Sequence, residues 1–537
     1  MLKRNSIRTD EERKRDMMNQ RYNYSLSLRK QKISEYINKK RMNKKNRINT
    51  YNPKNPLIDL TNKRELYSKD NLERFNNYLN MFLKTSNIKE LYEYLQKIKD
   101  ILSQIPEICC KVFYQAIIIS GSMKYMIDLI DYCYPPLRNI IFNILSFISY
   151  ESEFTELLFL NKVNYKITQI IKEDNSINEN ELKDMIYLIT NISLDNKEFS
   201  QYILQNDYVN ILLNYIPKII NNRQLLGISI WSFSSFIENN SKINKLILTE
   251  QLVQIYNIAI NTIKSTPKEI YSNRTNGGNA FYFSIDIIYK ITSKITSDKR
   301  CSEVINYPND LETLNSIFNV VISLLENTKN IHLKNMGLKI INNFIFIDEE
   351  EIFQSYLINN SFINILSELL NENKSNSISS MICCIIMNLS CSFSESISKN
   401  ENLILTLLDL GKNSKDIIMR KNAFLSILGL CQNKNFEIIK LLVNNGLIDI
   451  IYNLMNICQN EFTIIQYCLQ GIVKIIETFQ DAFEYIKEII NILNKKGMLD
   501  YIEKLIYEKN NNNILQMSEY ILEKKKMYIE EVYCLNY

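Results

Sequence analysis

The stretch MIYLITNISLD, residues 185–195, contains the pattern that decides the fold. Tyr187 stands four residues before Asn191, about one helical turn, so both side chains lie on one face of a helix. The same arrangement, an aromatic residue four positions before a small polar one, occurs 45 residues earlier and 44 residues later, as Phe142/Ser146 and Trp231/Ser235. We call each such pair a rung. This period is typical of stacked helical units that bury their apolar faces against each other.

Helical spacing of apolar residues continues from about Asn71 almost to the end of the chain. Asn343 and Asn388 end two similar apolar helices, again 45 residues apart. The sequence predicts an all-α, armadillo-repeat, right-handed superhelical solenoid over residues 71–527, with about nine to ten repeats. Pro267 and Gly277-Gly278 indicate a loop insertion near residues 265–279. Residues 51–70 are predicted to be a linker and residues 528–537 a C-terminal tail.

The composition fits an elongated helical protein. The 537 residues are too many for one compact core, and 46% of them are hydrophobic. Only 10 Gly and 8 Pro are present, too few for a protein rich in tight β-turns. No apolar run reaches the ~18–20 residues of a membrane helix, and the charged start of the chain does not fit a secretory signal. The 11 cysteines form no C-x-x-C pair and are expected to be reduced and buried.

The charge is distributed unevenly along the chain. Residues 1–50 contain 16 Lys/Arg and 5 Asp/Glu, a net charge of +11, which leaves −6 for residues 51–537 because the whole chain carries +5. Residues 25–41 could form a basic amphipathic helix against a partner and are otherwise expected to be partly disordered. The basic arm is therefore predicted either to bind an acidic partner or to fold back onto the acidic body.

Patterns for catalysis are absent from the sequence. His332 is the single histidine, and it lies at the start of a predicted helix, where a surface or capping role is expected. No phosphate-binding glycine motif occurs, and no Cys pair has the spacing of zinc ligands. The sequence therefore predicts a protein that is not an enzyme and that has no metal and no cofactor.

Two segments resemble the importin-α family. Leu28-Arg29-Lys30-Gln31-Lys32, with basic clusters before and after it, is similar to the importin-β-binding segment of that family. Residues 497–505, GMLDYIEKL, are similar to the family's motif after its last full repeats. The resemblance covers nearly the whole chain. It implies a set of importin-β-binding residues, which are Arg13, Lys14, Arg15, Leu28, Arg29, Lys30, Lys32, Lys39, Lys40 and Arg41.

The resemblance also implies a groove that holds an extended basic peptide. In the family, Trp-x-x-x-Asn pairs form aromatic walls and amide clamps, and an aspartate binds the most important cargo lysine. The matching major-site candidates here are Phe142, Ser146, Tyr187, Asn191, Asp195, Trp231 and Ser235. The candidates for a second, minor site are Lys339, Asn343 and Asn388. Cys384 and the pair Leu425/Gly429 replace the residues expected at that site, which puts it in doubt. A purely structural role in the core is the alternative for every aromatic rung residue.

The predicted function is that of a nuclear-import adaptor that binds nuclear-localisation-signal cargo and links it to importin-β, moving between cytoplasm and nucleus. A nuclear exporter as a recycling partner is left open, and no membrane partner is predicted. The alternative is a divergent armadillo scaffold that binds a specialised protein ligand of another kind, because several groove residues have changed. Nucleic-acid binding by the basic arm ranks last, since the arm offers few aromatics for stacking on bases.

Overall fold

The computed structural model describes residues 58–105, 107–131, 134–174, 177–239, 242–266, 276–305, 311–348, 351–359, 361–372, 376–508 and 511–535. These residues are almost entirely helical. The helices of the first half are α1 (Ile58–Lys84), α2 (Ile88–Gln104), α3 (Glu107–Ile119), α4 (Ser122–Leu129), α5 (Pro135–Ile148), α6 (Ser152–Leu160), α7 (Val163–Glu173), α8 (Glu179–Asp195), α9 (Lys197–Gln205), α10 (Tyr208–Ile219), α11 (Arg223–Ile237), α12 (Thr249–Ser265) and α13 (Asn276–Thr292).

The second half continues the same arrangement. Its helices are α14 (Lys299–Ile305), α15 (Leu311–Asn327), α16 (Ile331–Ile347), α17 (Ile352–Asn359), α18 (Phe362–Glu372), α19 (Asn376–Ser398), α20 (Glu401–Asn413), α21 (Ile417–Leu430), α22 (Phe436–Asn444), α23 (Leu447–Ile457), α24 (Phe462–Phe479), α25 (Phe483–Lys495), α26 (Met498–Glu508) and α27 (Asn512–Leu535). Within α19, Phe393 has a non-helical backbone (φ −122°, ψ 29°), so two helices meet there at a kink.

The helices repeat in units whose last members pack on one another in a row. We call these last members the inner helices, and each contacts the next one along the chain. Since every unit covers its apolar side chains with the following unit, one continuous core runs through the described residues. The inner helices are α2, α5, α8, α11, α13, α16, α19, α21, α24 and α27.

Asparagine begins many of these helices. Its side-chain oxygen accepts a hydrogen bond from a backbone N–H of the first turn, which would otherwise have no partner. Polar breaks in the sequence therefore act as helix starts as well as boundaries. The capping asparagines are Asn87, Asn178, Asn196, Asn222, Asn330, Asn400 and Asn435.

A left-handed residue recurs between the first and second helices of a unit. Gly446 immediately precedes α23 with φ 101°, and Gly497 immediately precedes α26 with φ 67°. Both glycines therefore lie inside units, between two helices of one unit. Three other units place a residue with a side chain in this conformation, at Lys162, Asp207 and Ser361.

Four segment boundaries differ from the sequence prediction. Helix α1 begins at Ile58, inside the predicted linker 51–70, and α27 continues to Leu535, inside the predicted tail 528–537. Residues 238–241 form a polar stretch in the sequence, of the kind that separates helical repeats, but Glu238–Asn239 pair with Lys242–Ile243 as two short antiparallel strands. Gly277-Gly278 lie in the first turn of α13 and not in a loop, because glycine is tolerated where a helix begins.

Among the described residues, no single helix is both long and apolar enough to cross a membrane. Helices α22 and α23, bent by 65° relative to each other, reach the length and apolarity of such a span only when they are taken together.

Candidate functional site

Two of the three predicted rungs lie side by side on neighbouring inner helices. Tyr187 and Asn191 are partly exposed on α8, and Trp231 and Ser235 are partly exposed on α11. The ring centroids of Tyr187 and Trp231 are 5.3 Å apart, with ring planes inclined by 52°. The structure therefore brings these four predicted residues together on one surface of the solenoid.

The first predicted rung is displaced by one residue. The Phe142 side chain is fully buried, and Ser146 is 6% exposed and donates its hydroxyl hydrogen to the Asn143 carbonyl oxygen at 2.8 Å. Adjacent residues on a helix differ by about 100° in direction, so Phe142 faces the core and not the groove. The prediction for Phe142 and Ser146 as groove residues is wrong.

Asn143 and Phe147 occupy the surface positions of this first rung. Both are partly exposed on α5, and they precede Tyr187 and Asn191 by 44 residues each. The polar and aromatic residues have thus exchanged places relative to the predicted pattern. A strict 44-residue spacing is the sequence signal that would have found them.

The aromatic surface continues onto α13. Phe283 lies 6.4 Å from Trp231 between ring centroids, and Tyr282 contacts Phe283 edge-on at 5.1 Å. Tyr282 also stacks on His332 at 5.8 Å, at the start of α16. We call Tyr187, Trp231, Phe283 and Tyr282 the aromatic row. Phe283 follows Trp231 by 52 residues, and this longer interval hid it from a search at 44 or 45.

The rings of the aromatic row leave little space between them. An aliphatic chain that enters between two parallel rings needs about 7 to 8 Å, since each carbon contact takes 3.5–4.0 Å. The measured separations of 5.3 and 6.4 Å are shorter than this. Ligand side chains would therefore lie across the ring faces in this conformation, because the walls form a surface and not separate slots.

Two carboxylates lie on α8, the helix that carries Tyr187. Asp195 is exposed at the C-terminal end of α8, where burial raises the pKa of its carboxyl and a hydrogen bond with Thr155 opposes this rise. Asp184, which the sequence analysis missed, accepts a hydrogen bond from Asn143 Nδ2 at 2.9 Å. Burial raises the pKa of Asp184, and the Asn143 hydrogen bond and the charges of Lys183 and Lys99 oppose the rise.

The asparagine amides of the rungs also connect inner helices. Asn191 Nδ2 donates to Ser149 Oγ at 2.9 Å, and Ser149 is the C-terminal cap of the preceding inner helix, α5. Asn388 Nδ2 donates to Asn342 Oδ1 at 2.9 Å in the same direction along the solenoid. An amide has two N–H donors and one carbonyl, so each of these bonds uses only part of its hydrogen-bonding capacity.

The C-terminal rungs form a different surface. Lys339 is partly exposed with its Nζ 5.1 Å from the centroid of the Tyr289 ring, and Asn343 is 8% exposed. Leu425 and Gly429 are buried between α21 and its neighbours. A Cβ atom at Gly429 would lie 2.9 Å from Ser390 Cβ, which shows how closely α19 and α21 approach. This close packing leaves no wall for a ligand at Leu425 and Gly429.

A buried ion network holds the N-terminal ends of α5 and α8. Arg138 Nε donates to Glu181 Oε1, and Arg138 Nη2 lies 2.6 Å from Asp174 Oδ2. The Glu181 side chain is fully buried. Burial raises the pKa of Glu181 although Arg138 opposes the rise. This network fixes the register of the two helices that present Asn143 and Tyr187.

The remaining predicted residues lie elsewhere. All ten predicted importin-β-binding residues fall within residues 13–41, outside the described part of the chain. Across the described ranges, no group of three or more His, Cys, Asp or Glu side chains is arranged to hold a metal ion.

Two solved structures have folds similar to that of this chain. The chain is similar to an engineered protein of the Northeast Structural Genomics Consortium, with a TM-score of 0.60 and 12% identity, over 84% of this chain and 98% of that one. It is also similar to a chain from the structure described as "A conserved phosphorylation switch controls the interaction between cadherin and beta-catenin in vitro and in vivo". That match has a TM-score of 0.54 and 10% identity, over 85% of this chain and 91% of the other.

The sequence comparisons add no relative: no family model matches the chain, and no curated protein matches its sequence. The structural matches, together with the continuous row of inner helices, show the fold alone: the chain is an all-α, armadillo-like solenoid.

Proposed function

We propose that the chain is a nuclear-import adaptor of the importin-α kind, which binds a basic peptide of its cargo on the aromatic row and binds importin-β through residues 1–50. The observation that supports this most is the contact of Tyr187 with Trp231 on adjacent inner helices, together with the exposed carboxylate of Asp195 at the C-terminal end of α8. Aromatic faces attract the methylene stems and cations of Lys and Arg, and carboxylates bind their charged ends.

The arm supplies the link to importin-β and a form of regulation. The arm has a net charge of +11 and the body a net charge of −6. Because these charges attract, the arm can compete with a basic cargo peptide for the groove. Tethering raises the local concentration of such a competitor to around the millimolar range. Importin-β would free the groove when it binds the arm.

Peptide binding tests the cargo site. Trp231 is the only tryptophan of the chain, so its fluorescence reports directly on ligands at the aromatic row. A peptide with a Lys-Lys-Arg-Lys cluster is expected to change this fluorescence in a saturable way, and Asp195→Lys is expected to abolish the binding. Glu488→Lys makes the same charge change at an exposed position of α25 and is the matched control. Equal loss of binding in both variants would show general charge repulsion and no specific site.

The arm is tested separately. Importin-β should capture the wild-type chain and fail to capture the alanine triple variant of Arg29, Lys30 and Lys32. Deleting residues 1–50 should tighten binding of the basic peptide to the body. Failure of the wild-type chain to bind importin-β would rule out the import role. Equal peptide affinity with and without the arm would rule out autoinhibition.

A second candidate function is that of an armadillo-like scaffold for a specialised protein ligand. The contact distances within the aromatic row favour it, because rings 5.3 and 6.4 Å apart offer a surface for apolar or aromatic side chains and not slots for lysine stems. Peptide arrays separate the two candidates. Preference for peptides with basic clusters supports the adaptor, and indifference to basic residues with importin-β binding intact supports the scaffold.

A further inference from the structure

Where α11 meets α13, a lysine of the chain itself is bound as a ligand lysine would be. Lys290 Nζ lies 2.7 Å from Asp286 Oδ2, 2.8 Å from the Ser234 carbonyl oxygen and 2.9 Å from Ser234 Oγ. A lysine ammonium has three N–H donors, so a carboxylate, a carbonyl and a hydroxyl satisfy all of them. Ser234 also donates its hydroxyl hydrogen to Asp286, which holds the two acceptors together.

Of these acceptors, Asp286 is partly exposed on the α13 face that carries Phe283, and Ser234 is buried at the end of α11, 2% exposed. Ser234 immediately precedes the rung residue Ser235, and its carbonyl is among the last four of α11, which have no partner within their own helix. Phe283, Asp286 and Lys290 follow one another at i, i+3 and i+7, so they share one face of α13. The negative end of the α11 dipole adds to the attraction for a cation at this point.

We infer that Ser234 and Asp286 form a cation subsite that Lys290 fills from within the chain, so that the ligand footprint ends at Phe283. This inference deepens the proposed function, because it limits the ligand to a short peptide with a single basic cluster. Beyond the subsite, Lys339 places a second positive charge above the Tyr289 ring. At the other end, burial raises the pKa of the Asp184 carboxyl, and the positive charges of Lys99 and Lys183 oppose this rise.

The length of the footprint follows from the spacing of the rings. The rings at Tyr187, Trp231 and Phe283 lie on three consecutive inner helices, and packed helices are about 8–10 Å apart. The rings lie closer together than the helix axes, at 5.3 and 6.4 Å, so about four residues of extended peptide cover the three rings at about 3.3 Å per residue. One further basic residue would meet Lys290 and be repelled.

The subsite itself is tested without any peptide. In Lys290→Ala the vacated acceptors should bind n-butylammonium, which has the same ammonium head on a four-carbon chain. The variant should lose thermal stability, and n-butylammonium chloride should restore most of the loss in a saturable way. Tetramethylammonium chloride at the same concentration has no N–H donor and should restore nothing. If both salts act alike, or neither acts, the subsite is wrong.

Folding of the variant does not limit this test. If Lys290→Ala does not fold alone, recovery of its helical circular dichroism with n-butylammonium, and not with tetramethylammonium, becomes the readout. Failure of that recovery overturns the inference in the same way. Asp286→Asn in the Lys290→Ala background removes the carboxylate and should abolish the selective rescue.

The footprint is tested with two peptides. One carries a single Lys-Lys-Arg-Lys cluster, and the other has one more lysine about three residues beyond either end of the cluster, the distance to the next helix. Lys290→Ala, or Lys290→Met if only that variant is folded, should bind the longer peptide about tenfold more tightly than wild type does. The shorter peptide should bind both proteins equally.

Two outcomes separate the inferences. If n-butylammonium rescues selectively but no protein binds either peptide, the proposed function is refuted and the subsite is supported. Equal affinity of both proteins for the longer peptide would refute the footprint.

Discussion

The inner helices of the first and second halves of the chain pack in the same way but present different side chains to the surface. In the first half, α8, α11 and α13 present partly exposed rings beside carboxylates, and an ion network fixes α5 against α8. In the second half, α19 and α21 approach so closely that Gly429 has no room for a Cβ atom, and Leu425 is buried. The comparison teaches that helix stacking does not create a groove. On α8, α11 and α13 partly exposed rings form the surface, and at Gly429 the close contact with Ser390 leaves none.

The largest effect is expected from breaking the ion network of the first half. Arg138→Met leaves the fully buried Glu181 without its partner, so we expect a loss of about 3 to 5 kcal/mol in the free energy of unfolding. Lys421→Met is the control in the second half. Its partner Glu461 has a side chain that is 51% exposed and returns to water, so the loss should stay below about 1 kcal/mol. Urea unfolding followed by circular dichroism gives both values, and equal losses would contradict the contrast.

The next effect concerns ligand binding. Trp231→Ala removes the central ring of the aromatic row and should weaken binding of a labelled basic peptide by about thirtyfold, or about 2 kcal/mol. Cys384→Ala changes the residue at the corresponding rung position of α19 and should change the affinity less than about twofold. Fluorescence anisotropy of the peptide measures both. A larger effect at Cys384 would move the binding surface to the second half.

Close packing of α19 and α21 gives the third prediction. Gly429→Ala places a Cβ 2.9 Å from Ser390 Cβ and 3.3 Å from the Met387 carbonyl oxygen, so the helices must separate. We expect a destabilisation of about 1–3 kcal/mol, although alanine favours helix by about 0.5–1 kcal/mol. Gly337→Ala is a helical control whose Cβ meets only side-chain methyl groups and no backbone atom, the nearest being Val321 Cγ1 at 3.0 Å. Thermal unfolding midpoints of the two variants measure the difference. If the midpoints are equal, the contact between α19 and α21 can relax to accept the new Cβ atom.

The smallest effect is a pH dependence at Asp184. Its folded-state pKa is raised by burial, so the folded chain binds the proton more tightly than the unfolded chain does. The wild type therefore loses stability as pH rises from the ordinary aspartate pKa near 3.9 through the raised value, and Asp184→Asn lacks this loss. The stability of the variant relative to the wild type should therefore increase as pH rises from 4 to 7. Urea unfolding midpoints across this range measure the gain in stability. A loss of stability in the variant over the same range would contradict a raised pKa for Asp184.

The aromatic row shows where sequence reasoning succeeded and where it stopped. Tyr187, Asn191, Trp231 and Ser235 were found because their spacing matches the repeat length and one helical turn. Phe142 was chosen in place of Asn143 because an aromatic residue was expected there, and a one-residue error turns a side chain from the groove into the core. Phe283 was missed because it follows Trp231 by 52 residues, which a search at 44 or 45 does not reach.

Alone, the sequence determined the helical class, the repeat length and the uneven charge of arm and body, because these depend on periodicity and composition that are local to the chain. Only the tertiary structure decided which face of each inner helix is exposed, how close neighbouring helices lie, and that Lys290 reaches back to Ser234 across 56 residues. These features depend on side-chain volumes and hydrogen bonds between units, which no single repeat contains. The aromatic surface of one half and the closed surface of the other are therefore properties of the stack.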